Sequence, residues 1–138
     1  MKTTSHFFLI LLIALVTRPI ASCNNKEPFK PPYDNIGGYV IGTETCNIDS
    51  AQNYWLLDFT VYPNSPHIGD TLTLNGIPYT NVLKVKRLDP RLKQVGMRVG
   101  IDYNVISSNK ITTTACTVTS PAVYNLKEMS IINQFEIR

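Results

Sequence analysis

Any histidine chemistry in this chain has to run through His67, because the other histidine, His6, stands ahead of the apolar run Phe7 to Val16, which reads as a removable leader. His67 lies in Asn64-Ser65-Pro66-His67-Ile68-Gly69-Asp70, a stretch of turn formers. The bland expectation is a solvated loop residue. The sharper one is a pH-sensitive contact or the base of a Ser-His-Asp arrangement. The other motifs of catalysis are missing: no Gly-x-Ser-x-Gly, His-Glu-x-x-His, Walker loop, Rossmann glycine pattern or Cys-x-x-Cys. Paired carboxylates are a second route, as in glycoside cleavage. Asp58 and Asp102 fall on the polar faces of expected strands, where facing solvent or pairing with Arg98 or a lysine is the simpler fate. Asn47-Ile48-Asp49-Ser50-Ala51-Gln52-Asn53 offers oxygen donors at alternate positions but lacks the glycine turn and terminal glutamate of an EF-hand. The expectation is no enzyme, no metal site and no cofactor.

Charge is distributed unevenly. Lys84, Lys86, Arg87, Arg91, Lys93 and Arg98 stand against Asp89 alone, while Cys23 to Asp70 holds two lysines against six acids. A solvated face that protects a sheet edge is one reading. The other is a binding surface built on Lys84, Lys86, Arg87 and Arg91 for an acidic glycan, lipid headgroup or protein. Without Lys2 and Arg18 of the leader, eleven basic residues face ten acids, a net +1. That is too weak a field to expect nucleic acid.

The elements that must position these residues have period two. Trp55, Leu57, Phe59 and Val61 alternate with Tyr54, Leu56, Asp58 and Thr60, a strand with one apolar face. Thr71 to Leu74 runs into Asn75-Gly76, the strongest short hairpin signal, and a return strand is expected from Tyr79 to about Leu88. Asp89-Pro90 opens one helical turn, with Asp89 as N-cap, and Gly96 ends it. Met97 to Val105, the Thr-rich run Ile111 to Val118, Met129 to Ile137 and an initial Tyr39 to Cys46 complete the strands. The pattern predicts an all-β domain over 36–138: a small closed barrel of OB type, or a sandwich, of five to seven antiparallel strands with one short helical turn.

Ahead of that domain, ten apolar residues rise only ~15 Å as a helix, half the ~30 Å hydrocarbon core of a bilayer. The run therefore reads as a secretory h-region and not a membrane span. It ends at Ile20-Ala21-Ser22-Cys23. That tetrad resembles the lipobox of bacterial lipoproteins: an aliphatic residue, two small ones and a cysteine. The resemblance covers the first 23 residues. It implies a signal peptide at 1–22, diacylglycerol on Cys23, acylation such as palmitate at the new amino terminus, and membrane attachment in the cell envelope, on its periplasmic or surface face. An ordinary cleaved signal, with Cys23 an ordinary cysteine, is the alternative. Residues 23–35, with Pro28, Pro31 and Pro32, read as a tether that reaches roughly 37 Å if extended.

With Cys23 taken by lipid, the resemblance leaves Cys46 and Cys116 to form a disulfide in an oxidising compartment, two free buried thiols being the alternative. The domain itself resembles small all-β envelope lipoproteins. The expected function is a lipid-anchored, non-enzymatic binding or interaction module. An accessory or structural lipoprotein without a small ligand comes next, and a hydrolase using His67 last.

Overall fold

The structure is a computed structural model that describes residues 30–61 and 63–138. The expected leader, Cys23 and the expected tether as far as residue 29 lie outside the described residues. Six strands form one antiparallel sheet: β1 Asp34–Thr43, β2 Trp55–Asp58, β3 Asp70–Leu74, β4 Ile77–Val85, β5 Arg98–Ile106 and β6 Met129–Glu136. Their order is β3-β4-β2-β1-β5-β6. The only helical elements among the described residues are two single 3-10 turns, Ser50–Gln52 and Pro90–Leu92. The expected all-β class is thus observed. The expected closure is not, because no ladder joins β3 to β6. A single parallel bridge, Lys84 with Glu128, brings the approach to β6 beside β4.

Local chemistry explains most of the elements. Asn75 and Gly76 take positive φ, 52° and 81°, and close the β3–β4 hairpin. Asp89 accepts a hydrogen bond from the Arg91 amide and caps the turn that Pro90 opens. β1 begins at Asp34, inside the expected tether, although Gly37 and Gly38 give it poor strand propensity. Packing overrides propensity there: a Cβ at Gly38 would lie 2.7 Å from the Phe59 ring, so only glycine lets the core ring in.

Alternation produces two buried faces. Ile36, Val40, Leu57, Phe59, Leu83, Val85, Val99, Ile101 and Met129 share the main core, with Leu88 and Leu92. On the opposite face, Leu56, Leu74, Val82 and Leu126 make a second cluster. The second cluster exists because the long connection from Ser107 to Glu128 crosses the outside of β2 and β4. The Thr-rich run Ile111 to Val118 within it was expected as a strand and forms none; Ile111 makes one isolated bridge, to Leu126. Its polar groups bond to the segment after β1 instead. The amides of Thr117 and Val118 both donate to the Cys46 carbonyl, at 2.8 and 3.2 Å. Cys46 and Cys116 are joined by a disulfide that fastens this connection to the loop after β1.

Candidate functional site

The four basic residues expected on one face are divided by the structure. Lys84 is on the outward side of β4, but the Ser107–Glu128 connection covers that side and leaves Lys84 with no exposure. Its ammonium lies 3.3 Å from Glu44, 3.2 Å from the Thr113 hydroxyl and 3.3 Å from the Tyr124 carbonyl. Glu44, equally buried, also accepts from the Tyr124 amide at 3.0 Å and from the Thr113 hydroxyl. Every polar group in this cluster has a partner, which is what makes a buried ion pair tolerable. Lys84 is therefore an internal brace and not part of a surface patch.

Lys86, Arg87 and Arg91 are exposed. They line two grooves along the free side of β6, each of about 370 Å³. Lys86 and Arg87 face Glu128, Met129, Ser130 and Ile131 in the first. Arg91 and Leu92 face Gln134, Phe135, Glu136 and Arg138 in the second. Gln134 stands between them. Its amide donates to the Arg87 carbonyl at 2.9 Å and accepts from the Asp89 amide at 2.8 Å. One side chain thus spans the open seam where a strand ladder would otherwise close the sheet.

Local pairing damps the positive charge of the seam. Arg91 holds Asp89 through two side-chain contacts, 2.8 and 3.1 Å. Hydrogen bonds from the Arg91 side chain and amide pull the Asp89 carboxyl down to about 2. The Lys86 ammonium sits 5.6 Å from the centre of the Tyr54 ring, which the Lys84 ammonium approaches at 4.6 Å. Burial first, and then the carboxylate of Glu128, push the Tyr54 phenol up to about 12.

The other candidates do not converge. His67 is exposed in the loop before β3, and among the described residues no hydrogen bond or ion pair engages it. Asp58 is buried against Thr60, whereas Asp102 lies on the opposite part of the sheet between Asn35 and Asn133. Two side chains of the Asn47–Asn53 stretch accept from nearby backbone amides. Asp49 caps the turn at Ser50–Gln52, and Asn53 accepts from the amides of Cys46 and Asn47 at 3.1 and 2.7 Å. Among the described residues no three His, Cys, Asp or Glu side chains are grouped to hold a metal.

Sequence reasoning missed Glu44 and Gln134. Glu44 had no visible signal, since its partner is forty residues away. Gln134 sits in a run that reads only as a strand. No protein-family model matches the chain, and neither the curated proteins nor the solved structures contain a significant match to it.

Proposed function

We propose that this chain is a lipid-anchored, non-enzymatic binding module of the bacterial cell envelope, held to the membrane by diacylglycerol on Cys23. The observation that carries the reading is the Cys46–Cys116 disulfide. Structural disulfides belong to oxidising compartments. With those two sulfurs joined, Cys23 of Ile20-Ala21-Ser22-Cys23 is the one cysteine left over, and an odd cysteine in an exported chain needs a fate. Acylation supplies one.

The domain on that tether is an OB-like barrel left open at one seam. With β3 set aside as a hairpin partner, the remaining order β4-β2-β1-β5-β6 is the five-stranded Greek-key arrangement, and the parallel Lys84–Glu128 bridge falls where its ends would meet. The face of β2 and β4 that such barrels commonly use is occupied here by Leu126 and Tyr124 of the chain's own connection. Lys86, Arg87 and Arg91, beside the seam, are the contact residues for an acidic envelope partner. The Asp89–Arg91 pair favours a second reading, a structural lipoprotein with no small ligand, since it takes one cation out of use.

The test is the intact mass of the full-length product extracted from membranes. The expected result is a chain that begins at Cys23 and carries diacylglyceryl and acyl mass, and Cys23→Ser then releases the protein to the aqueous phase. A product recovered from the aqueous fraction with a free or bridged thiol at Cys23 overturns the anchor. Independently, a Lys86→Glu, Arg87→Glu, Arg91→Glu triple variant that binds envelope extracts as well as the parent disposes of the basic seam.

A further inference from the structure

The outer face of β1, β5 and β6 carries an arrangement that meets the basic seam only at Phe135, on the rim of the groove that Arg91 lines. Directly paired residues of antiparallel strands point to the same side of a sheet. The register therefore stacks three rows on one face: Asn35, Asp102 and Asn133; then Gly37, Gly100 and Phe135; then Tyr39 and Arg98. In the middle row both β1 and β5 present glycine, and the Phe135 ring lies against Gly100. Three consecutive ring carbons lie 2.4–3.0 Å from where a Cβ of Gly100 would be. Glycine at position 100 is thus required for the ring to sit this close to β5. Phe135 remains 44 % exposed and Tyr39 37 %.

The first row is polar and fixed. The Asn35 amide donates to Asp102 Oδ1 at 2.5 Å, and the Asn133 amide donates to Oδ2 at 3.3 Å. Each carboxylate oxygen has a second acceptor site, and each asparagine keeps a carbonyl oxygen and a second N–H. Alternate residues along a strand are about 6.8 Å apart, so this row borders the aromatic one at the distance of a single sugar ring.

We propose that this face is a pyranose-binding platform. Phe135 is its stacking surface, and Asp102, oriented by Asn35 and Asn133, accepts the sugar hydroxyls. The negative face of an aromatic ring attracts the polarised C–H groups on the flat side of a pyranose. The oriented carboxylate and amides match the hydroxyls at its rim, and planar bidentate groups fix which hydroxyls are taken. The carboxylate in the row that meets the sugar hydroxyls repels phosphate and uronate, and Arg98 lies two rows away, so the ligand is a neutral oligosaccharide. The proposal depends on neither the lipid anchor nor Lys86 and Arg87, although Phe135 is shared with the groove that Arg91 lines.

The test uses the full chain in a detergent with no sugar headgroup. Saturation-transfer NMR is run with β-1,4-linked hexaoses of glucose, mannose, xylose and N-acetylglucosamine at millimolar concentration. The expected result is transfer to the ring C–H protons of at least one of them. Asp102→Ala weakens that binding roughly tenfold or more, the scale of one or two hydrogen bonds to a charged group. Phe135→Ala abolishes the transfer and Phe135→Trp retains it. Should Phe135→Ala fail to fold, Phe135→Trp and Asn133→Ala carry the comparison, the latter weakening binding. Lys86→Glu with Arg87→Glu leaves it unchanged. No transfer to any of the four sugars, affinity unaltered by Asp102→Ala, or loss on changing Lys86 and Arg87 alone would each overturn the proposal.

Discussion

The Lys84 ammonium and the Glu44 carboxylate meet 3.3 Å apart with neither side chain exposed. Removing one partner of such a pair leaves a buried charge uncompensated, at a typical cost of about 3–5 kcal/mol. Lys84→Ala is therefore expected to lower unfolding free energy in urea by that amount. Replacing both, Lys84→Met with Glu44→Leu, is expected to cost much less, because desolvation of two ions is no longer required. A Lys84→Ala protein within about 1 kcal/mol of the parent would show that the pair is not closed to water.

The disulfide closes a separation of 70 residues and fastens the Ser107–Glu128 connection over the second core cluster. Cys46→Ala with Cys116→Ala is expected to cost about 4 kcal/mol on the chain-entropy model, an upper figure. The loss should appear first where the connection is held. The amides of Thr117 and Ile111 donate to Cys46 and Leu126, and they should lose hydrogen-exchange protection before those of β1 and β5. Uniform loss across both would mean that the connection and the sheet open as one unit.

These two features show which parts of the molecule could be read from the chain. Asn75-Gly76 and Asp89-Pro90 act through their own backbone dihedrals and caps, so the hairpin and the 3-10 turn were legible locally. The inner face of β5 was legible as far as Tyr103, which still packs against the main core. Register shifts on either side of Tyr103 then turn Val105 outward, 56 % exposed, and no composition signal announces a bulge. Lys84 was misread for a different reason. It stands on the side of β4 away from the main core, and a connection more than twenty residues later in the chain covers that side. Burial of that kind is a tertiary event that period-two patterning cannot register. The candidate site suffered the same way: Lys86, Arg87 and Arg91 are exposed, while Gln134 meets Arg87 and Asp89 from a strand more than forty residues away, a contact that no local pattern carries.

Tyr54 gives a pH-dependent signature. Burial and Glu128 raise its phenol to about 12, so the folded state resists deprotonation that the unfolded chain undergoes near pH 10. A raised folded value means that the contribution to stability is complete below pH 10 and is lost as pH climbs from about 10 to about 12. Absorbance titration should show one tyrosinate forming late, absent in Tyr54→Phe. In Glu128→Gln the same transition should move down without vanishing, because burial, the larger cause, remains. A late transition that survives Tyr54→Phe unchanged would assign it elsewhere, with Tyr103, also raised by burial, the first alternative.

The loop that carries His67 hangs on one buried amide. Asn81 of β4, 2 % exposed, accepts from the Ile68 amide at 3.0 Å and the Gly69 amide at 2.6 Å, and donates to the Pro66 carbonyl at 3.0 Å. Asn81→Ala leaves two donors and an acceptor unpaired, each costing about 1–3 kcal/mol where water cannot reach. Partial solvation of the loop should hold the total loss to about 2–4 kcal/mol, read from urea unfolding. Asn81→Asp separates the contributions, since it keeps both acceptor interactions but sets an oxygen against the Pro66 carbonyl. It should retain protection at the Ile68 and Gly69 amides while still losing stability. The same contact explains Gly69: an added Cβ would fall 2.6 Å from the Asn81 carbonyl carbon and the Val82 nitrogen, backbone atoms that cannot swing aside. Gly69→Ala should therefore destabilise through β4 itself, and combining it with Asn81→Ala should cost less than the sum, since both act on one junction. Full additivity of the two would break that link and leave the loop held by contacts other than Asn81.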